Sequence, residues 1–89
     1  MISPGDIVCS TAGRDKGIYF AVVSVCGEYA SICDGKKRKT DKPKRKKVKH
    51  LQTGCGHSVL IAEKIRDGKT VTNTELKREI KPYAQPDNG

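Results

Sequence analysis

The sequence predicts a mainly β domain, a small antiparallel barrel followed by two short α-helices. Three observations carry that prediction. Short runs rich in Val, Ile, Tyr and Phe recur through the first half, separated by Gly-containing turns. The strongest run is apolar on both faces, with Tyr19, Ala21, Val23 and Val25 on one and Ile18, Phe20 and Val22 on the other. One face can line a barrel, and the other needs a cover. After residue 58 the apolar spacing changes from two to three or four, which supplies that cover as helix.

Pro4-Gly5-Asp6 opens as a turn, and Ile7 to Ser10 follows as a short strand. Thr11 to Gly17 is a loop of small and polar residues holding two glycines. Gly17, just before the strongest strand, is expected at positive φ. Ile18 to Val25 is that strand, with Val, Ile, Tyr and Phe at six of its eight positions. Cys26-Gly27-Glu28 reads as a tight hairpin connection to a third strand, Tyr29 to Cys33, which the turn pair Asp34-Gly35 ends. Residues 36 to 44 hold no apolar side chain except Pro43, so a loop that is mobile without a partner is expected. Lys47 to Leu51 is expected as a fourth strand and Thr53 to Gly56 as a linker.

Helix is expected over 58–67 from Val59, Ala62 and Ile65, with Gly68 at the C′ position. A second helix is expected over 73–81, from the Thr72…Glu75 capping box, the Leu76 and Ile80 pair, and Pro82 as its stop. The resulting boundaries are a barrel over 1–55 with a basic loop at 36–47, an appendage over 56–83, and a flexible tail over 84–89.

Eighty-nine residues and an apolar content of 35% allow one small core and exclude an enzyme with a deep cleft. The longest apolar stretch, Ile18 to Cys26, is too short to span a bilayer, so no membrane partner is expected. The first six residues have neither the basic nor the apolar region of a secretory signal, and a soluble, cytoplasmic protein with reduced thiols is expected.

Charge is the more informative quantity. Eighteen Lys and Arg against ten Asp and Glu give a net +8. Residues 1–35 are net −2 and residues 50–89 net +1, whereas residues 36–49 hold ten basic side chains against Asp41 alone. So dense a block repels itself and calls for a polyanion, most commonly a phosphate backbone. Phosphate contacts position a protein without reading sequence. The aromatics are only Tyr19, Phe20, Tyr29 and Tyr83, and core packing is the simpler role for the first three. Recognition of shape and backbone is therefore expected over sequence reading.

Cys55-Gly56-His57 with His50 supplies three donor side chains, but no C-x₂₋₄-C pair accompanies them, and no metal is expected. Cys9, Cys26 and Cys33 read as small hydrophobes. Cys55 and His57 lack a third, orienting group, and neither paired carboxylates nor a phosphate-cradling glycine loop is present. A non-enzymatic protein without a cofactor is expected.

Gly5-Asp6-Ile7-Val8, a loop ending in Gly17 and a strand containing Val22-Val23-Ser24-Val25 together resemble the KOW motif of RNA-contacting ribosomal and transcription-elongation proteins. With the Lys/Arg block and Val48-Lys49-His50-Leu51 added, residues 3–52 resemble the amino-terminal domain of large-subunit ribosomal protein fourteen of eukaryotes and archaea. The tail, Ala62 to Ile65 and Thr72 to Leu76, is similar instead to short bacterial KOW-containing RNA-binding proteins, and it is much shorter than the ribosomal protein's helical extension.

The resemblance implies an SH3-like barrel and a preference for RNA, above all ribosomal RNA, over DNA. It implies that Gly17 is the motif's glycine and that Arg14 and Lys16 face RNA. It also implies that the basic block is the loop and strand between the third and fourth barrel strands. The expected RNA-binding residues are Arg14, Lys16, Lys36, Lys37, Arg38, Lys39, Lys44, Arg45, Lys46, Lys47 and Lys49, with Arg38 and Arg45 best suited to forked phosphate contacts. A monomer associated with the ribosome or translation is expected. The alternative is a protein-interaction barrel that docks a partner through its groove or helical tail; nonspecific DNA binding is a third reading.

Overall fold

The computed structural model describes residues 1–84. It contains five strands, β1 (Asp6–Ser10), β2 (Tyr19–Cys26), β3 (Tyr29–Cys33), β4 (Lys44–Lys47) and β5 (Leu51–His57). The helices α1 (Val59–Arg66) and α2 (Asn73–Ala84) follow. All strands form one antiparallel sheet in the order β4-β3-β2-β1-β5. A flat sheet of five strands would hold its edges ~19 Å apart. Yet only a 3₁₀ turn, Val48–His50, links the edge strands β4 and β5, a reach of at most ~15 Å. The sheet must therefore curl at that end.

The two apolar faces of β2 behave as expected up to Val23, whereas Val25, expected on the covered face, is exposed. Phe20 and Val22 join Val8, Ala30, Ile32 and Leu51 in an inner cluster on the concave side. Ala21 joins Ile7, Cys33, Ile61, Val71, Leu76 and Ile80 in an outer cluster that the helices cover, with Tyr19 and Val23 packed against it. A bulge between Val22 and Ser24 bends β2 where it leaves the helices.

Gly17 has φ +87°, the turn its place before β2 requires. Ser58 caps α1 by accepting the Ile61 N–H, and Gly68 follows it with φ +71°. The capping box of α2 is reciprocal: Thr72 Oγ1 accepts the Glu75 N–H and Glu75 Oε1 accepts the Thr72 N–H.

Three expectations need correction. The fourth strand is Lys44–Lys47, not 47–51, and residues 48–50 form the 3₁₀ turn. Residues 53–56, expected as a linker, lie inside β5, which pairs with β1 and carries the sheet past residue 55 to His57. Pro82 does not end α2, which runs through it to Ala84. The reason is packing: Tyr83 lies against Gly56 of β5 so closely that any Cβ there would run into the ring. That contact holds the last turn in place although proline has no N–H to contribute. Of the expected tail, Ala84 belongs to α2 and residues 85–89 lie outside the described residues.

Candidate nucleic-acid interface

The register of β4 sorts the basic block. Lys46 lies opposite Ala30 and Lys44 opposite Ile32, on the concave face; Arg45 and Lys47 lie opposite Ser31 and Tyr29, on the other. Lysine is rarely buried without partners, and both inward lysines have them. Lys46 is 9% exposed, and its Nζ donates to Ser10 Oγ and to the Ala12 carbonyl, both at 2.7 Å. Lys44 Nζ lies 2.9 Å from Asp15 Oδ2, an oxygen enclosed by protein and off the angle of a directed hydrogen bond. The contact is chiefly an ion pair.

The Lys44 ammonium holds the Asp15 carboxyl below its usual range, against the upward push of burial, and Arg38 and Lys46 add to the attraction. Arg38 is half-buried, and its Nε is enclosed with no partner among the described residues. That edge of the guanidinium fork is closed to a phosphate. Lys44 and Lys46 thus fix the 11–17 loop to the sheet, and the Arg38 charge adds to the attraction on Asp15.

The outward residues form a different environment. The Arg45 guanidinium stacks 4.0 Å from the centroid of the Tyr29 ring, and Lys47 Nζ lies 5.9 Å from the same ring. Arg45 is exposed, while Tyr29 and Lys47 are half-buried. Tyr29 belongs to neither core cluster. Core packing therefore describes Phe20, which is fully buried, and in part Tyr19, but not Tyr29.

The other expected residues lie around this strand. Arg14 and Lys16 are exposed on the 11–17 loop, and Lys49 is exposed on the 3₁₀ turn. Lys36, Lys37 and Lys39 are exposed on the loop after β3, which local bonds organise. Asp34 Oδ1 accepts the Lys36 and Arg38 N–H groups at 2.9 Å, and the Arg38 carbonyl accepts the Asp34 and Gly35 N–H groups. Asn73 Oδ1, at the start of α2, accepts the Thr40 N–H. Two lysines that sequence reasoning missed, Lys77 and Lys81 of α2, line one groove with Lys36 and Lys37. Their signal was present in the i, i+4 spacing beside Ile80.

The donor groups considered for metal or catalysis are dispersed. His57 Nδ1 lies 2.7 Å from Asp6 Oδ1, and Cys55 Sγ donates to the Gln52 carbonyl. Among the described residues no group of three or more His, Cys, Asp or Glu is assembled. All four cysteines are free. Only Cys33 is a core residue, its thiol pushed up to about 11 by burial and then by Asp34 and Asp41. Cys26, read as a small hydrophobe, is exposed at the β2–β3 hairpin, and Cys9 is half-buried. No helix among the described residues is long and apolar enough to cross a membrane. No family model matches the chain, and no curated protein is significantly similar to it.

Proposed function

We propose that this chain is a non-enzymatic RNA-binding module of the KOW type, built on an SH3-like barrel. It contacts structured RNA, foremost ribosomal RNA, through a ridge of cations, and works in the cytoplasm as a monomer associated with the ribosome or translation. The observation that carries the reading is the division of labour on β4. Lys44 and Lys46 hold the 11–17 loop against the sheet. Arg14, Lys16, Lys36, Lys37, Lys39, Arg45 and Lys49 are exposed around that frame, with Lys47 half-buried beside Tyr29. An array of exposed cations with one stacked Arg–Tyr pair suits a phosphate backbone.

The test is the salt dependence of binding to a duplex-containing RNA. If about five of these cations neutralise phosphates, log K falls against log salt with a slope of roughly −4 to −5. Replacing Lys36, Lys37, Arg45, Lys47 and Lys49 by Gln keeps the Asp15 frame, so the protein should stay folded and lose most of its affinity. Affinity and slope that survive this replacement refute the reading.

A further inference from the structure

A groove of about 640 Å³ lies between the Gly17–Tyr19 segment, the loop after β3 and the second half of α2. Four lysines line it, Lys36 and Lys37 from the loop and Lys77 and Lys81 from the helix. All four are exposed, and among the described residues none makes an ion pair. The carboxylate in the lining, Asp34, is already engaged by the backbone N–H groups of Lys36 and Arg38. Tyr19 and Ile80 add apolar surface to the wall.

The convergence follows from how closely α2 approaches the loop. A Cβ on Gly35 would lie 2.5 Å from the Asn73 carbonyl oxygen and 3.1 Å from Lys77 Cγ. Glycine at this position admits the helix, and the Lys77 stem lies over it. Lys81, one turn further along, falls on the same stripe. Four lysines against the single Asp34 carboxylate leave the groove net positive, which favours an anion there.

We propose that this groove binds the phosphodiester backbone of a single RNA strand running off the duplex held by the basic loop. The proposal deepens the RNA-binding reading and rests on it, because Lys36 and Lys37 belong to both surfaces. The continuity of groove and loop favours a polymer over a free phosphate. Tyr19, partly buried against the core, lines the groove beside the lysines and is the aromatic nearest an emerging base.

The experiment uses the full chain and two labelled RNAs, a blunt hairpin and the same hairpin with an unpaired extension of about ten nucleotides. Wild type should bind the extended RNA more tightly. Lys77→Gln with Lys81→Gln should leave blunt-hairpin binding unchanged and weaken extended-RNA binding about twentyfold at ~0.1 M salt, flattening the salt slope by about 1.4 units. Lys77→Arg with Lys81→Arg should restore the slope, and Arg66→Gln with Lys69→Gln should behave as wild type. Helical circular dichroism checks that each variant is folded.

Equal loss on both RNAs, or no loss beyond the Arg66/Lys69 control, overturns the groove proposal while leaving hairpin binding intact. A wild type that binds neither RNA overturns both readings. Inorganic phosphate that shifts the Lys77 and Lys81 NMR signals, with extended-RNA binding unaffected by their replacement, identifies a small-anion site and overturns the strand proposal.

Discussion

The two faces of β4 are chemically almost alike and physically opposite. Both carry two basic side chains within four residues. On the concave face Lys44 and Lys46 are paired with Asp15, Ser10 and the Ala12 carbonyl. On the other face Arg45 and Lys47 lie over Tyr29. The period of two that alternates apolar and polar residues in an ordinary strand here separates cations that hold the fold from cations available to a ligand. Net charge counts both kinds equally. Only the strand's register against β3 tells them apart.

The sharpest way to break that distinction is Lys46→Met. The stem is retained and the ammonium lost, which removes its hydrogen bonds to the Ser10 hydroxyl and the Ala12 carbonyl and leaves only the Ser10 Oγ–H donating to that carbonyl, at 3.1 Å. Hydrogen bonds from a charged donor contribute ~1.5–3 kcal/mol, so a destabilisation of about 2 kcal/mol is expected, seen as a Tm lower by about 10 °C. The folded fraction should keep its RNA salt slope. A change in slope with no change in Tm would place Lys46 among the RNA contacts and dissolve the contrast between the faces.

The mirror experiment is Arg45→Ala with Lys47→Ala. Stability should change by less than ~1 kcal/mol, the scale of an exposed cation–π contact. RNA affinity should fall by roughly tenfold to sixtyfold at ~0.1 M salt, with the slope flattened by about 1.8 units. Substituting both faces at once would confound lost folding with lost contact, which is why the inward residues must be left in place.

Acid separates the faces by a smaller effect. The Asp15 carboxyl is held below its usual range in the folded protein. Its stabilisation is therefore present above the unfolded value, ~3.9, and is lost as pH falls through the lower folded one. Glu75, held down to about 2 chiefly by the Lys64 hydrogen bond and then by the Thr72 N–H, titrates in the same direction and forms a common background. Denaturant titrations from pH 6 to pH 2 should show a smaller acid loss in Lys44→Gln than in wild type, and an unchanged one in Arg45→Gln. Equal acid losses in both variants would mean that Lys44 does not hold the Asp15 charge.

The same contrast explains which parts of the fold were legible in the sequence. β2 and β3 announce themselves by their Val, Ile and Tyr content, and β2's two apolar faces anticipated both clusters. Gly68 after α1 and the capping box at Thr72 are local signals with local consequences. β4 carries no local signal, because Lys-Arg-Lys-Lys has no apolar alternation; pairing with β3 imposes the strand. β5 was obscured by Gly54 and Gly56, and Gly56 serves the close approach of Tyr83. Likewise the location of the charge was legible, but its direction was not. The sequence reads Arg38 as suited to a forked phosphate contact, yet its Nε is enclosed.

Arg45→Lys is the finest test of the outward face. It preserves the charge, so the number of phosphates neutralised and the salt slope should stay as in wild type. What it removes is the planar fork and most of the stacking on Tyr29, which an ammonium replaces only as a point charge. If Tyr29 fixes the guanidinium for a two-pronged phosphate contact, affinity should fall several-fold at an unchanged slope, and Tyr29→Leu should lower it similarly. Once Tyr29 is Leu, the guanidinium is no longer oriented, and Arg45→Lys should cost little more. A full additional loss in the double variant would show that Arg45 meets its phosphate without the ring. The outward face would then act as a diffuse cloud of charge.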